Sequence, residues 1–507
     1  MSRQTRVQRR AVAGLLSVAA LGAAFSLGAR YGADRVRAGN DWADGRLLST
    51  AIDSVRVNAL DSLPSDELIR RAVSGMLNEL HDPYAAMLRP DGYRDYRGSL
   101  MGESQGLGIS LRQQGQRLSV RRVAAGSPAA LAGIRRGDRI LSWNGMRADD
   151  PTLRLRSDSN RVVGDLTQLV LLRAPTDDSL RVAIRRANWH APAITESGLL
   201  TDSIGYVRIG SITSRAAAEL EASVDVLLRR GARSLVLDLR GNTGGLFEEG
   251  VRAAALFLPP DALVASLDGR SGTAPQPFRA AHSRWPTLPL TVLIDAGTAS
   301  ATEVIAAALR EHQRTVLIGA PSYGKGVVQR VVRLSRDIAL RLTTARWLTP
   351  TGRALERRPG PGRTFVGGLR PDVLIADAAL RDLSQVPREW KPAAVLSALT
   401  AADSVVAEAA RERWPVSADA ESSVRELLLR RVSAKRAIDE IPKAEWIHVT
   451  TRVATVRLLE LHAQYEALLR YSVRDDAPLR TAVALLTPAR AVTATRQNAG
   501  AVRARSQ

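Results

Sequence analysis

The stretch DAGTASATEVIAAALREHQRTVLIGAPSYGKGVVQ, residues 295–329, decides how the chain is read. Its first part sets Ser300 among the small residues Thr298, Ala299 and Ala301. An apolar run follows, in which Val304, Ile305, Ala308 and Leu309 recur at helical spacing. Ser300 is therefore expected at a helix N-terminus, where backbone N–H groups and the positive end of the dipole favour a developing oxyanion. Thr315 to Gly319 reads as a short buried strand. A Gly-rich turn then delivers Lys325, which in an extended chain shares one face with Val327 and Gln329, because side chains alternate with period 2.

A serine in a tight turn and a lysine on a nearby strand suggest a Ser–Lys dyad. A neutral amine takes up a serine proton when burial disfavours its charged form, and Tyr323, Val327 and Val328 are the apolar neighbours expected to bury it. The competing reading makes Ser300 a plain N-cap and Lys325 a surface lysine. Lysine is scarce here: there are four, Lys325, Lys391, Lys435 and Lys443, and arginine carries nearly all other positive charge. Arginine cannot act as a general base at neutral pH.

A length of 507 residues allows two to four domains with real cores. The absence of cysteine excludes disulfides, thiolate metal sites and a cysteine nucleophile. A formal charge of +21 suggests an anionic partner, but the arginines are scattered without a long basic run. No nucleic-acid-binding motif accompanies them, and His448 and His462 are too isolated to be metal ligands. No metal and no organic cofactor is expected.

Outward from the central stretch, Arg3, Arg6, Arg9 and Arg10 precede an uncharged run at 11–29. That run is near the minimum for a membrane span, and its basic flank puts the N-terminus in the cytoplasm. A signal anchor is expected, with a cleaved signal peptide as the alternative. Either way the bulk of the chain is expected in the cell envelope, facing the periplasm or outside, or secreted. Residues 46–97 read as helices, with Leu47, Leu48, Ile52 and Val55 on one face and Leu68, Ile69, Val73, Met76, Leu77 and Leu80 on another. His81 sits in a helix-ending turn and is expected to be structural.

Residues 104–188 resemble a PDZ domain. Gly106-Leu107-Gly108-Ile109 is similar to a carboxylate-binding loop, whose N–H groups capture a peptide's C-terminus while the following strand adds the peptide to the sheet. GSPAALAGIRRGDRILSWNG follows in the right order, with a helix start at Ser127-Pro128, a strand from Arg139 to Trp143 and a hairpin signal at Asn144-Gly145. SDSNRVVGDL at 157–166 departs from the Gly-rich segment usual there. Further on, strands Ile204 to Ile209 and Ser234 to Leu239 bracket a helix from Ala216 to Arg230. DLRGNTGG, residues 238–245, then turns sharply into another helix; no Walker lysine follows, which argues against a phosphate loop. Residues 259–289 read as a long loop. Leu290 to Ile294 is the strand that feeds Ser300, and Val331 to Leu334 and Ala339 to Thr343 are two more strands.

TASATE, GKGVVQ and DLRGNTGG together resemble the carboxyl-terminal processing (tail-specific) serine proteases. RWLTPTGRALE and the segment Gly367-Gly368-Leu369-Arg370-Pro371-Asp372 extend the likeness, which covers about residues 45–378. Thr302 stands where that family often has Ser, and Tyr323 where Phe is common. The resemblance implies Ser300 as nucleophile, Lys325 as general base and Gln329 as the residue orienting the lysine. It implies an oxyanion hole from the N–H of Gly244 or Gly245 with that of Ala301. Asp238 and Arg240 are expected to hold the loop rather than do chemistry. The fold implied is a multidomain α/β (α+β) chain with a crotonase/ClpP-like βαβ protease core, a small β-rich PDZ domain and helical segments at both ends.

The expected divisions are 1–39 anchor or signal, 40–98 helical, 99–189 PDZ, 190–378 protease core and 379–507 helical extension with a basic tail. The function implied is a serine endopeptidase cutting exported proteins near free C-terminal tails read by the PDZ domain. The alternatives are a catalytically silent PDZ scaffold, a latent protease needing an adaptor, and a crotonase-class thioester enzyme. Residues 379–507 carry amphipathic faces (Val395, Leu396 and Leu399; Val424, Leu427, Leu428 and Leu429; Val456, Leu458, Leu459, Leu461 and Leu468) that pack on the core, join a second copy or bind an adaptor.

Overall fold

The computed structural model describes residues 42–61, 63–114, 117–150, 163–173, 178–270, 274–335, 338–359, 365–375, 392–411, 420–431, 441–461 and 464–487. The apolar run 11–29, most of 157–166, His462 and the tail beyond Thr487 lie outside them. Among the described residues no helix is long and apolar enough to cross a membrane. The chain divides into two compact units, Met1–Met87 and Leu88–Gln507. In the first, helices Trp42–Asn58 and Ser65–Glu79 form as expected, but Leu47, Leu48, Val55, Ile69, Met76 and Leu80 are exposed.

In the second unit the central sheet runs Ile194–Leu199, Ile204–Ile209, Ser234–Asp238, Leu290–Ile294, Val316–Gly319, Val373–Leu374 in spatial order. The first pair is antiparallel and the rest are parallel. The parallel strands read as continuous apolar runs because both faces are covered. One face meets helices Ala216–Arg229, Phe247–Ala255 and Ala301–Glu311, which bury Leu220, Val224, Val251, Val304 and Ile305 against Val207, Leu237 and Val292. The opposite face meets Leu479 and Ala482 of helix Ala477–Leu486, packed on Tyr206, Val236, Leu293 and Ile318. Helices on both faces of a parallel sheet place its loops together at one end, where sites of this architecture form.

A second, antiparallel set of strands joins Val327–Arg333 to Ala339–Leu348, then Leu263–Asp268, then Gln276–Arg279. The last two correct the expectation of a long loop at 259–289. Leu263–Asp268 pairs on one side with Arg346–Leu348, some 80 residues downstream and beyond the reach of local pattern, and on the other with Gln276–Arg279.

The β-rich segment opens with Glu103–Gly106, which pairs antiparallel with Ala187–His190, so its entry and exit run side by side. Between them the order is Ile109–Gln114, Arg117–Val123, Arg139–Trp143, Leu166–Arg173, Asp178–Arg185, closed over Val120, Ile140, Leu169 and Leu171. Past the sheet, helices Pro392–Arg411, Ala420–Arg431 and Lys443–Leu461 share a core of Leu399, Val405, Val406, Val424, Leu428, Val453 and Leu458. Leu429 is exposed, and the side chains of Val395, Leu396 and Leu461 lie outside the described residues. Part of the extension thus has its own core, and part packs on the central sheet.

Candidate active site

Ser300 ends a sharp turn between strand Leu290–Ile294 and helix Ala301–Glu311, at φ 59° and ψ −126°. A positive φ at a residue bearing Cβ costs about 1–3 kcal/mol and persists only where the surroundings impose it. Hydrogen bonds impose it here. Asp295 Oδ1 accepts the N–H of Gly297 at 2.9 Å and that of Gly241 at 2.8 Å. The Ala299 N–H donates to the Asn242 carbonyl at 3.0 Å, and the Thr298 hydroxyl reaches the Leu239 carbonyl at 3.0 Å. The serine turn and the loop after Asp238 are therefore stitched together.

Gly244 lies in that contact. A Cβ on it would stand 2.8 Å from Ser300 Cβ and 2.8 Å from the Ala299 carbonyl oxygen, and its φ is 98°. Its N–H donates to Asn242 Oδ1 at 2.9 Å. Gly245 faces the Ile212 carbonyl oxygen, which a Cβ would approach to 2.0 Å. Ala301 opens the helix, so its N–H belongs to the first turn, which has no intrahelical acceptor. Gly250 brings helix Phe247–Ala255 against the Ala301 carbonyl, where a Cβ would sit at 2.7 Å.

Glu303 joins serine to lysine. It is fully buried, and its Oε2 accepts the backbone N–H of Ser300 at 2.8 Å and that of Lys325 at 2.9 Å. The two nitrogens are thus no more than about 5.7 Å apart, the sum of those distances. Oε1 accepts the Ser322 hydroxyl at 2.5 Å and the Gly324 N–H at 2.8 Å. Burial pushes the Glu303 carboxyl up; the four donors pull it back only in part. The Lys325 carbonyl is held in turn by Trp347 Nε1 at 2.9 Å, and the Tyr323 N–H by the Thr298 carbonyl at 2.9 Å. Sequence reasoning passed over Glu303, although Ser-x-x-Glu ahead of an apolar run is the signature of a capping box.

Other expectations fare unevenly. Lys325 is half-buried and precedes strand Val327–Arg333, whose partner Ala339–Leu348 bulges at Thr344, between the residues paired with Val328 and Gln329. The Gln329 side-chain amide donates to Thr343 Oγ1 at 3.3 Å. Val327 is buried, but Tyr323 is exposed and stacked under the Arg357 guanidinium, 5.3 Å from the ring centre. Thr302 is buried, and its hydroxyl finds no hydrogen-bond partner among the described residues.

Asp238 and Arg240 do hold the loop. Arg240 pairs with Asp238 at 2.7 Å, and the Tyr206 hydroxyl donates to the same carboxylate at 2.8 Å. Burial alone would raise the Asp238 carboxyl, but the Arg240 guanidinium beside it outweighs burial and holds it below the usual range.

In the β-rich segment, the Gly106–Ile109 loop rests on the short helix Pro128–Leu131. The Leu107 carbonyl accepts the Ala129 N–H at 2.9 Å, and the Gly108 carbonyl the Ala124 N–H at 2.8 Å. A Cβ on Gly108 would fall 2.1 Å from Ser127 Cβ. The following strand, Ile109–Gln114, is an edge strand.

Residues 203–375 match the model of peptidase family S41, and residues 119–152 that of the PDZ domain. The carboxy-terminal processing protease CtpA of Bacillus subtilis (strain 168) is 28% identical over 345 residues, which cover 67% of this chain and 70% of that protein. The carboxyl-terminal-processing protease of Synechocystis sp. is 32% identical over 289 residues, 55% of this chain and 66% of that one. A solved structure, the photosystem II D1 C-terminal processing protease, is 28% identical and aligns over 65% of this chain and 88% of its own with a TM-score of 0.41. With the Ser300 turn, a Gly-rich loop and the Lys325 loop in the matched segment, and a PDZ domain ahead of it, the chain carries a peptidase domain of family S41 and is similar to the carboxyl-terminal processing proteases.

Proposed function

We propose that the chain is a serine endopeptidase that cuts exported proteins near their C-terminus through a Ser300–Lys325 dyad. The observation that carries this reading is the single Glu303 oxygen that binds the N–H of both residues. In the proposed reaction Ser300 Oγ attacks the scissile carbonyl and Lys325 Nζ takes its proton. That proton passes to the leaving amine as the acyl-enzyme forms, and water then hydrolyses the ester. Gln329 orients Lys325. The Ala301 N–H and the N–H of Gly245 receive the oxyanion; the Gly244 N–H is already given to Asn242 Oδ1, which favours Gly245.

The edge strand Ile109–Gln114, headed by the Gly106–Ile109 loop, supports the reading that the PDZ domain binds a substrate's free C-terminal tail by strand addition. The arginine-flanked apolar run 11–29 supports export and anchoring in the cell envelope.

The test compares the chain from about residue 40 onward with its Ser300→Ala and Lys325→Ala variants. Each is incubated with an unfolded protein ending in an apolar tail, free or amidated. Cleavage by the parent only, slowed by the amide, is the expected result. Equal cleavage of both tails removes the tail-reading role. Tail binding without cleavage by any of the three supports a PDZ scaffold or latent protease, and turnover of a thioester but no peptide supports the crotonase-class alternative.

A further inference from the structure

We infer that Asp476, in the helical extension outside the matched peptidase segment, is a positioning residue for the oxyanion loop. It acts through Arg240, and the inference rests on the peptidase reading above. Its two oxygens meet the Arg240 guanidinium at 3.0 and 2.8 Å. Arg240 is 1% exposed and spans two carboxylates: Asp238 at the end of its own strand, and Asp476, which begins a helix on the opposite face of the sheet. From Arg240 the chain runs directly into Gly241, Asn242, Gly244 and Gly245. The direction in which it leaves the sheet is thus set by a side chain clamped from both sides.

Two features make the clamp more than a tether. Asp476 Oδ1 also accepts the Leu479 N–H at 3.0 Å, so the carboxylate is fixed as the N-cap of helix Ala477–Leu486. Leu479 and Ala482 bury that helix against the sheet. Two carboxylates facing one guanidinium leave an excess negative charge, which the positive end of this helix offsets. Asp476 is therefore held rigidly, and passes that rigidity to a loop whose N–H groups must stay aimed at the oxygen above Ser300.

Asp476→Asn separates positioning from capping, because asparagine caps a helix as well as aspartate but loses the charged, two-pronged grip on Arg240. In the chain from about residue 40 onward, kcat is expected to fall about 10- to 100-fold with KM held within about 2-fold, since displacing an oxyanion donor acts on the transition state. Hydrogen exchange at Gly241, Asn242 and Gly244 should quicken about 10-fold while the amides of 477–486 keep the parent's rates. A variant matching the parent in both kcat and loop exchange overturns the inference. So does equal quickening in loop and helix, which would make Asp476 merely structural. Ser300→Ala runs alongside. If the parent shows no Ser300-dependent hydrolysis, the peptidase reading fails by itself, and loop exchange still decides what Asp476 does.

Discussion

Glutamine at position 303 would test the junction between Ser300 and Lys325. The parent carboxylate offers two oxygens to four donors: Ser300 and Lys325 N–H on one, the Ser322 hydroxyl and Gly324 N–H on the other. Glutamine keeps one acceptor oxygen and turns an NH2 toward the remaining two donors. Each buried donor left without an acceptor costs about 1–3 kcal/mol, so the pair costs about 2–6 kcal/mol of stability. Either orientation disturbs the approach of serine to lysine, and a shift of about 1 Å lowers kcat about 100-fold.

The stability loss should also depend on pH. Because the folded carboxyl is raised, its contribution is fully present below the unfolded value and is lost as pH rises through the folded one. The gap between parent and Glu303→Gln should therefore be widest in acid and narrow toward neutrality, by about 1.4 kcal/mol for each unit of the shift. Urea unfolding at several pH values and hydrolysis of a tailed protein substrate measure both effects. A folded variant with kcat within about 3-fold of the parent would refute the claim that Glu303 holds the two residues together.

Gly244→Ala should fold less stably by about 1–3 kcal/mol and lose most hydrolysis, because the new methyl meets the Ala299 carbonyl and Ser300 Cβ in a backbone that favours glycine; thermal unfolding and kcat read it. Asp238→Asn should show the opposite pH dependence to Glu303→Gln. The depressed Asp238 carboxyl stabilises above its unfolded value and ceases to as pH falls through its folded one, so the variant's deficit should be steady from pH 8 to about 5 and shrink in strong acid. Glu460→Gln should weaken the seat of the PDZ domain on helix Lys443–Leu461, where buried Glu460 receives Arg136 Nε at 2.5 Å. About 3 kcal/mol is expected, the low end for a broken buried pair since Arg136 is partly exposed, with faster proteolysis between the two as the readout.

What could be read from sequence was what is local. Strands Ile204–Ile209, Leu290–Ile294 and Arg139–Trp143 stand where their apolar runs place them, because a run of that length bounded by Gly, Pro or Asp has few other ways to bury itself. Ser300 is at a helix start because small residues ahead of a 3.6-period face leave little else. Leu263–Asp268 escaped notice because Pro, Gly and Ser punctuate its surroundings and one of its two pairing partners is distant. The bulge at Thr344, opposite Val328 and Gln329, was hidden for a different reason: no propensity marks where an extra residue enters a strand. Glu303 was visible as half of a capping box, but its second oxygen, turned to the lysine loop, was not.

The same distinction explains why the site needs charge in its interior. Three loops that meet at Ser300 come from chain segments around 240, 300 and 325, and apolar packing alone would let them slide, since it is not directional. Asp295, Glu303 and Arg240 are directional. Each is buried, and each binds groups on a loop other than its own: Asp295 the Gly241 N–H, Glu303 the Lys325 N–H, Arg240 the carboxylate of Asp476. Burying a charge is costly unless every partner is in place, so each of the three penalises any arrangement in which its loops have drifted apart. The strained Ser300 backbone is then maintained by neighbours that become unsatisfied if it relaxes. Ser300 at positive φ and a fully buried carboxylate three residues later are two sides of one constraint.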